Sequence, residues 1–257
     1  MSSHSPKEEP RFYAELADWW PLFSAPAEYE EEARIWEHAI RGFAHREVQD
    51  VLELGSGGGN NASHMKSRFR MTLVDRAEGM VEVSRDLNPD CEHHVGDMRD
   101  VRLGRTFDAV FMHDAISYLT SLEDVRRAFE TAALHCRPGG VLIAVPDNTT
   151  ETFQPRTSCG GHDGDGRSFR YLQWEADEDP EDQRYETDFA FMLREGSGAP
   201  RLVEDRHVLG LFPEKSWLEQ MAEAGFLPRT EPFRHSSFGP DERHTFFVGI
   251  RRGEGGV

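Results

Sequence analysis

The segment from residue 48 to residue 146 alternates between short apolar runs and stretches with helical spacing, and this alternation restricts the fold more than any other feature. Apolar runs predict strands at Val48–Leu54, Met71–Val74, Phe107–Met112 and Val141–Val145, and Cys91–Val95 is predicted as a further short strand. Helices are predicted at Asn61–Phe69, Met80–Leu87 and Leu122–Cys136, of which the last has the clearest spacing. Strands that alternate with helices across short connections form a parallel sheet that is covered by helices on both faces.

The first predicted strand runs into a glycine-rich turn, so that residues 51–59 read V-L-E-L-G-S-G-G-G. Glycine lets the backbone approach a ligand closely, and a turn that leads into a helix can direct its N–H groups at a nucleotide-like ligand. The dinucleotide pattern G-x-G-x-x-G would need a third glycine at Asn60, and no Lys–Ser/Thr pair follows the turn. The turn therefore fits neither the dinucleotide template nor a Walker loop.

Every predicted strand of this segment stops at a polar cluster. These clusters are Glu53, Asp75, Asp97, His113-Asp114 and Asp147. In open α/β sheets, ligands bind outside the carboxyl ends of the strands, at the point where the strand order reverses. We therefore expect these residues to surround the ligand.

The composition excludes several classes of partner. The chain has 257 residues, with 29 Lys plus Arg against 47 Asp plus Glu, which gives a net charge of −18. This charge repels phosphate backbones and anionic membrane surfaces, so we expect no nucleic-acid and no membrane partner. No run approaches the ~20 apolar residues of a membrane-spanning helix, and residues 1–10 lack an apolar signal-peptide core. The three isolated cysteines suit a reducing compartment, so we expect a soluble cytoplasmic protein.

The pattern changes after Pro146. Residues 147–165 have the composition of a loop, and three β-rich runs follow, at Ser168–Trp174, Tyr185–Leu193 and Leu202–Phe212. The rest of the chain predicts one helix at Glu214–Ala224 and two strands at Phe226–Thr230 and Thr245–Ile250. The sequence therefore predicts one α/β domain with an antiparallel insertion between the fifth strand and the final helix and strands.

Four motifs follow one another in a fixed order. They are Glu53-x-Gly55-x-Gly57-x-Gly59, Asp75, Gly96-Asp97-Met98 and Arg137-Pro138-Gly139-Gly140. This series resembles that of the class I S-adenosylmethionine-dependent methyltransferases. More narrowly, residues 96–107, Ile116-x-Tyr118-Leu119, Leu211-Phe212 and Arg243 ahead of residues 246–249 are similar to the amino-sugar N,N-dimethyltransferases of macrolide pathways. The resemblance implies a seven-stranded Rossmann-like methyltransferase sheet with helices on both faces and an antiparallel β insertion after the fifth strand.

The resemblance also divides the chain into four parts. Residues 1–45 form an N-terminal helical lid, and residues 46–147 form the S-adenosylmethionine-binding core. Residues 148–212 form a β-rich insertion that lines the acceptor site, and residues 213–257 supply the C-terminal helix and strands that complete the sheet. Related enzymes are often dimers, so the resemblance further implies a homodimer that acts on a small-molecule acceptor.

The resemblance implies S-adenosyl-L-methionine as the methyl donor, with S-adenosyl-L-homocysteine as its product. The contacts that it assigns to the donor are Glu53, Gly55, Ser56, Gly57, Asp75, Arg76, Asp97, Met98 and His113. Asp75 is expected to accept hydrogen bonds from both ribose hydroxyls, while Asp97 and Met98 hold the adenine. Glu53 is expected to hold the methionine ammonium, which the backbone carbonyl of His113 also faces. The side chain of His113 suits a hydrogen-bonded loop histidine equally well.

Methyl transfer requires an aligned acceptor, the exclusion of water and the removal of one proton, and it needs little further acid–base chemistry. The side chains of His93 and His94 lie on opposite faces of a short strand, so we expect no metal site there. By resemblance, Tyr13 is the tyrosine of the segment that closes over the sulfonium. Tyr118 is expected to border the transferred methyl group, and His207 is expected to be a base or a substrate contact.

One stretch departs from the amino-sugar enzymes. Those enzymes carry an aromatic Glu-Pro-Trp-Trp run after the fifth strand, whereas residues 145–150 of this chain read V-P-D-N-T-T. The polar stretch argues against a nucleotide-sugar acceptor, unless Arg156, Arg167 and Arg170 form a cationic cluster beside the pocket.

The sequence thus predicts methyl transfer from S-adenosylmethionine to a small molecule, with an amine such as an amino sugar favoured as the acceptor. One alternative is an O-methyltransferase that acts on a hydroxylated metabolite. Another is a non-catalytic S-adenosylmethionine-binding regulatory protein, which would lack an acceptor pocket beneath the lid. A dinucleotide-dependent oxidoreductase is disfavoured by the glycine spacing.

Overall fold

The computed structural model describes residues 10–239 and 242–253, so residues 1–9 of the predicted lid lie outside the described residues. The first half of the described chain contains, in order, α1 (Arg11–Ala14), α2 (Trp20–Phe23), α3 (Glu30–Phe43), β1 (Asp50–Leu54), α4 (Asn60–Met65), β2 (Arg70–Asp75), α5 (Glu78–Leu87), β3 (Glu92–Val95), β4 (Phe107–His113), α6 (Leu122–His135) and β5 (Cys136–Val145). Short 3-10 helices occur at Ala17–Trp19, Pro26–Tyr29 and Asp114–Tyr118.

The second half contains the insertion and the end of the sheet. Its elements are β6 (Arg156–Gly160), β7 (Asp163–Gly164), β8 (Arg167–Ala176), β9 (Arg184–Glu195), β10 (Arg201–Gly210), α7 (Glu214–Glu223), β11 (Phe226–Phe233) and β12 (His244–Arg251). The prediction of a loop over the whole of residues 147–165 is wrong, because β6 and β7 lie within it. Neither strand alternates between apolar and polar residues, and both acquire strand structure by pairing with β8.

The central sheet has seven strands in the order β11-β12-β5-β4-β1-β2-β3. The first five strands of the chain run parallel, and β12 runs antiparallel to both β5 and β11. This topology confirms the predicted fold. The strand order reverses between β1 and β4, so the carboxyl ends of these two strands border the crevice in which α/β sheets bind ligands.

The insertion forms a separate antiparallel sheet in the order β10-β9-β8-β6, to which β7 is added at β8. Side chains alternate between its two faces. One face carries buried residues such as Phe169, Phe191 and His207, and the other carries exposed residues such as Trp174 and Leu202. The buried face is therefore the one that packs against the rest of the molecule.

The start of β5 differs from the prediction, because the strand begins at Cys136 immediately after α6 and not at Val141. The pairing of β4 with β5 shifts register between Phe107 and Ala109. A Cβ atom at Gly140 would lie 2.5 Å from the carbonyl oxygen of residue 108, so only glycine fits this close approach. The Pro-Gly-Gly motif thus forms an irregular first part of the strand.

Hydrophobic clusters cover both faces of the central sheet. The helices α6 and α7 pack on one face through Phe129 and Trp217, and α3 and α4 pack on the other through Trp36 and Met65. Every residue of β4 is buried, as expected of a central strand in a doubly covered sheet. Among the described helices, none is long and apolar enough to cross a bilayer.

A third cluster attaches the N-terminal segment to the buried face of the insertion. Phe12 and Trp19 pack against Phe169 and Phe191, and the ring centroids of Phe12 and Phe191 are 4.9 Å apart. Burial of one aromatic side chain contributes roughly 1.5–3 kcal/mol. Several such contacts therefore hold the segment in a defined position on the insertion.

Candidate functional site

The turn after β1 requires glycine at three positions. Gly55, Gly57 and Gly59 have φ angles of 78°, 52° and 77°, in the left-handed region that side chains other than glycine disfavour. A Cβ atom at Gly55 would lie 2.8 Å from the terminal methyl group of Met98. The turn therefore needs glycine for its conformation, and its first glycine also lies directly beneath Met98.

Asp75 ties this turn to the end of β2. Its Oδ2 accepts the Gly57 N–H at 2.8 Å, and its Oδ1 accepts the Ala77 N–H at 2.9 Å. The carboxylate is only 8 % exposed. Asp75, the residue predicted to hold the ribose, thus lies against the glycine turn. This contact is required if Asp75 and the turn bind the same ligand.

Several buried polar atoms around the turn have no hydrogen-bond partner within the described residues. They are Glu53 Oε2, Ser56 Oγ, Asn60 Oδ1, Asn61 Oδ1 and Trp20 Nε1. Leaving such a group unpaired costs about 1–3 kcal/mol, so buried polar groups normally have a partner. The set includes a carboxylate oxygen for a cationic group and an indole N–H for an anionic one. These atoms fit the zwitterionic methionine end of S-adenosylmethionine.

Burial raises the pKa of Glu53 from 4.5 to about 8, against the lowering effect of His113 and with a further increase from Asp75. The side chain is 2 % exposed, so its ionised form has little water to stabilise it. A carboxyl group in this condition favours a cationic partner, because the partner's charge compensates for the lost hydration. The ammonium of the donor is such a partner.

The predicted adenine contacts have an unexpected neighbour. Arg99 binds Asp97 through two hydrogen bonds, from Nη2 to Oδ2 at 2.6 Å and from Nε to Oδ1 at 3.0 Å. Arg99 also pairs with Asp124 at 3.1 Å. An adenine amino group would therefore share the Asp97 carboxylate with Arg99, and the adenine role of Asp97 and Met98 stays a prediction. Arg76, next to Asp75, is exposed and also keeps its predicted role.

His113 lies between two carboxylates at the end of β4. Its Nε2 is 3.3 Å from Glu32 Oε2, and its Nδ1 is 3.1 Å from Asp114 Oδ2. Burial lowers the pKa of His113, but the charges of Asp114 and Glu32 outweigh this effect and raise it to about 10. Asp114 has a φ of 22°, which is uncommon outside glycine and typical of strained functional sites. The imidazolium side chain of His113 thus has a defined role in binding these two carboxylates.

A cavity of about 160 Å³ opens beside this ion pair, at the carboxyl ends of β4 and β5. Its lining includes Glu32, Asp114, Asp147, Arg156, Phe233 and His244. Burial and the charges of Asp114 and Glu175 raise the pKa of Asp147 well above its usual value. The cavity is therefore rich in carboxyl groups that can bind hydroxyl or ammonium groups, with Arg156 and the imidazolium of His113 as cations in its lining.

The three predicted catalytic residues form one hydrogen-bonded chain. The Tyr13 and Tyr118 hydroxyl oxygens are 2.8 Å apart, and the Tyr118 hydroxyl is 2.7 Å from His207 Nδ1. The backbone N–H of Asp147, a residue that lines the cavity, donates to the Ser117 hydroxyl at 2.9 Å, and Ser117 directly precedes Tyr118. This link places the chain close to the carboxylate-lined cavity. Residues from the N-terminal segment, from the end of β4 and from the insertion therefore meet at one point.

Arg156, Arg167 and Arg170 do not form a cluster beside the pocket. Arg156 pairs with Glu175, Arg167 with Asp18 and Arg170 with Asp163, and only Arg156 lines the cavity. Arg156 lies opposite position 175 in the register of β6 with β8. Arg167 comes eight residues before Glu175 on β8. At the rise of an extended strand, this spacing separates the two residues by ~26 Å. Within the described ranges, no group of three or more His, Cys, Asp or Glu side chains has the arrangement of a metal site.

Three residues of the site were not predicted from the sequence. The ring of Trp20 covers Gly58 so closely that any Cβ at Gly58 would clash with it. Glu32 reaches His113 from α3, and Asp205 reaches His207 from the same strand at 3.2 Å. Of these three residues, Asp205 alone could have been identified from the sequence. Its two-residue spacing from His207 places both side chains on one face of a strand.

Known proteins share both the sequence pattern and the fold. The family model described as a methyltransferase domain matches residues 51–140. The dTDP-3-amino-3,4,6-trideoxy-alpha-D-glucopyranose N,N-dimethyltransferase of Streptomyces venezuelae is 31% identical over 207 residues, which cover 79% of this chain and 84% of that protein.

Two solved structures superpose on most of the chain. The crystal structure of Streptomyces venezuelae DesVI matches with a TM-score of 0.78 and 27% identity, and covers 92% of this chain and 98% of its own. The sugar N-methyltransferase KedS8 from Streptoalloteichus matches with a TM-score of 0.75 and 24% identity, and covers 98% of both chains. With the glycine turn, the strand order and the 31% identity taken together, the chain belongs to the class I S-adenosylmethionine-dependent methyltransferases, in the group of the sugar N,N-dimethyltransferases.

Proposed function

We propose that the protein transfers methyl groups from S-adenosylmethionine to the amino group of an amino sugar. The observation that carries this proposal is the carboxylate-lined cavity beside the chain of Tyr13, Tyr118 and His207. Carboxylates bind sugar hydroxyls and ammonium groups through charge-assisted hydrogen bonds. The related enzyme from Streptomyces venezuelae is named for N,N-dimethylation of an amino sugar, which supports the same acceptor class here.

The residues around the glycine turn would hold the donor. Asp75 would bind the ribose hydroxyls, Glu53 the ammonium, and the backbone at Gly55 and Gly57 would pass close to the methionine. The indole N–H of Trp20, which has no partner among the described residues, would donate to the methionine carboxylate. When bound, the donor supplies a sulfonium-activated methyl group.

The cavity and the tyrosine–histidine chain would act on the acceptor. Carboxyl groups such as that of Asp147 would bind the hydroxyl groups of the acceptor and so orient the lone pair of its neutral amine. Alignment of this kind accounts for much of the rate of a methyl transfer. The chain of Tyr13, Tyr118 and His207 would then accept the proton that the methylated nitrogen loses.

The proposed parts of the chain have distinct tasks in this account. We assign residues 1–45 as the lid, 46–147 as the donor-binding core, 148–212 as the acceptor-side insertion and 213–257 as the completion of the sheet. The contacts of Phe12 and Trp19 with the insertion support the lid assignment. Three free cysteines support a cytoplasmic protein, and the net charge of −18 disfavours nucleic acid as a partner.

The alternative functions are not favoured. The relatives are named for N,N-dimethylation, which argues against O-methylation of a hydroxylated metabolite. A non-catalytic donor-binding protein would have no use for a cavity lined by Glu32 and Asp147 next to a buried tyrosine–histidine chain.

A panel of acceptors tests the proposal. Purified protein is incubated with S-adenosylmethionine carrying a labelled methyl group and with dTDP-linked amino sugars, unlinked amino sugars and the corresponding hydroxyl sugars. We expect label on amino sugars and none on hydroxyl sugars. Uptake by hydroxyl sugars alone, or by no member of the panel, contradicts the proposal.

Donor binding is expected to release a proton. Glu53 has a pKa of about 8 before binding and is mostly protonated at pH 7, whereas the donor ammonium favours its ionised form. Affinity should therefore rise with pH until about pH 8, by up to about tenfold per pH unit. Calorimetric titrations in buffers of different ionisation enthalpy measure this proton directly.

The variant Glu53→Gln serves as the control for that measurement, because its amide cannot ionise. It should bind the donor more weakly and release no proton. In the ligand-free protein the same raised pKa affects the free energy of unfolding. The contribution of Glu53 to stability is fully present below about pH 4.5 and is lost as the pH rises to about 8. A wild-type titration without proton exchange near pH 7 is incompatible with this role for Glu53.

We also propose that the protein is a homodimer formed through the outer face of the insertion, defined by Leu172, Trp174, Met192 and Leu202. These side chains are 52 %, 57 %, 43 % and 69 % exposed. The charged residues of the same face nearly balance, with Arg170, Arg184, Arg194 and Arg206 against Glu186, Asp188 and Glu204. The charges of this apolar face nearly cancel, whereas the whole chain has a net charge of −18. Association of two copies through this face is therefore favoured, because the rest of the surface of one copy repels that of the other.

The variant Trp174→Arg should be monomeric, because it buries two extra charges in a symmetric interface. Sedimentation velocity is expected to give twice the chain mass of 29.3 kDa for the wild type and the single mass for the variant. Leu134→Arg, at a residue of α6 that is 57 % exposed outside this face, is the control and should remain dimeric. A wild type that sediments as a monomer at all concentrations contradicts the dimer.

A further inference from the structure

One carboxylate connects the N-terminal segment with the tyrosine–histidine chain. Asp205 Oδ2 accepts the backbone N–H of Phe12 at 2.9 Å, and the same oxygen is 3.2 Å from His207 Nε2. The second oxygen, Oδ1, accepts the backbone N–H of Arg206 at 3.1 Å. The side chains of Asp205 and His207 are only 5 % and 4 % exposed. The contact is therefore buried and built from donors of three separate groups.

This arrangement determines the tautomer of the histidine. An ionised carboxylate can only accept hydrogen bonds, so His207 Nε2 must carry the hydrogen. The hydrogen bonds from His207 and Phe12 outweigh burial and keep the pKa of Asp205 below its usual value, so the carboxylate stays ionised. In the neutral imidazole the other nitrogen, Nδ1, then has a lone pair and acts as an acceptor.

The fixed tautomer sets the direction of the whole chain. Because His207 Nδ1 accepts, the Tyr118 hydroxyl donates to it over 2.7 Å. The oxygen of Tyr118 can then accept from Tyr13, whose hydroxyl donates over 2.8 Å. The Tyr13 oxygen keeps its lone pairs for another donor. The Tyr13 oxygen can therefore accept a hydrogen bond from the N–H of an amine. The Tyr13 hydrogen is already directed at Tyr118, so it leaves the lone pair of the amine free.

We propose that Asp205 is a positioning residue that orients the hydrogen bonds of His207, Tyr118 and Tyr13 toward acceptance of a proton from the acceptor amine. This inference rests on the proposed amine methylation. Methylation leaves the nitrogen with one proton more than the neutral methylated amine. That proton moves to Tyr13 as the Tyr13 proton moves to Tyr118 and the Tyr118 proton moves to His207 Nδ1. The resulting imidazolium faces the Asp205 carboxylate, which stabilises its charge.

The same carboxylate links the chain to the position of the lid. Phe12, whose N–H reaches Asp205, directly precedes Tyr13, so the hydrogen bond that fixes the lid also fixes the first member of the chain. If the segment moved away, Asp205 would lose one donor and Tyr118 would lose Tyr13 at the same time. The position of the segment and the orientation of the chain therefore depend on the same carboxylate.

Two measurements test the role of Asp205. Nitrogen-15 chemical shifts of the imidazole in labelled protein without substrates report the tautomer of His207. The wild type should carry its hydrogen on Nε2, and Asp205→Ala should show a mixture of both tautomers. Turnover should fall by about 10–100-fold in Asp205→Ala and in Asp205→Asn, while the dissociation constant for S-adenosylhomocysteine stays within about twofold.

The control is Asp165→Asn, at an exposed turn of the same insertion whose φ of 53° asparagine also tolerates. It should match the wild type in both measurements. Hydrogen on Nδ1 of His207 in the wild type overturns the inference without any variant. Full turnover in a folded Asp205→Asn also overturns it. If no amino sugar is methylated by the wild type, the proposed function fails, while the tautomer comparison still decides whether Asp205 orients the chain.

Discussion

Replacement of Asp75 by alanine is expected to reduce the affinity for both S-adenosylmethionine and S-adenosylhomocysteine by about 100-fold or more. The carboxylate is positioned to accept two ribose hydroxyls, and each hydrogen bond to a charged group is worth about 1.5–3 kcal/mol. A loss of about 3 kcal/mol corresponds to about 100-fold in the dissociation constant. Asp75 also receives the Gly57 N–H, so the variant loosens the glycine turn as well. Isothermal titration with each ligand measures the effect.

Two further variants separate ligand binding from folding. Asp75→Asn keeps the size of the side chain but loses its charge, and it should lie between the wild type and Asp75→Ala. Asp86→Ala removes an exposed carboxylate from α5 and should bind both ligands like the wild type. A folded Asp75→Ala variant with wild-type affinity contradicts the assignment of the donor site to this crevice.

The second large effect is expected for Tyr118→Phe, which should lower turnover by about 100-fold with little change in donor affinity. Tyr118 is the middle member of the chain, so its loss separates Tyr13 from His207. Proton transfer by positioned side chains typically contributes 10²–10⁴-fold to a rate. Steady-state and single-turnover kinetics with a labelled amino sugar separate the chemical step from binding.

Tyr171→Phe is the control of the same chemical change, since Tyr171 lies on the insertion at the edge of the cluster around Phe169. Its turnover should stay close to that of the wild type. If turnover falls by the same factor in Tyr118→Phe and Tyr171→Phe, the effect of Tyr118 is one of packing and the chain does not carry the proton.

The sequence predicts the central sheet well because its signals are local. Apolar runs mark the parallel strands, and the glycines at 55, 57 and 59 mark a turn whose φ angles require them. The series of polar strand ends predicts the crevice, since parallel strands place their carboxyl ends at one edge. These features need no knowledge of which side chains meet across the fold.

Contacts between distant parts of the chain could not be predicted in this way. Glu32 and His113 are 81 positions apart and meet only because α3 packs beside β4. Asp97 and Asp124 lie 27 positions apart and share Arg99 as a cationic partner, which the expectation that Asp97 holds adenine did not include. The strand β6 has no β pattern of its own and depends on its pairing with β8. Each of these outcomes is decided by tertiary packing, which overrides local preference.

In the proposed reaction, the methyl group of the donor is transferred to a nitrogen atom of an amino sugar. The most direct measurement uses S-adenosylmethionine with a ¹³C-labelled methyl group and identifies the labelled product by two-dimensional NMR. We expect a methyl signal that correlates with the carbon bearing the amino group, together with one S-adenosylhomocysteine for each methyl group transferred. A labelled methyl group on a hydroxyl oxygen, or formation of S-adenosylhomocysteine without any labelled sugar, would contradict the proposed reaction.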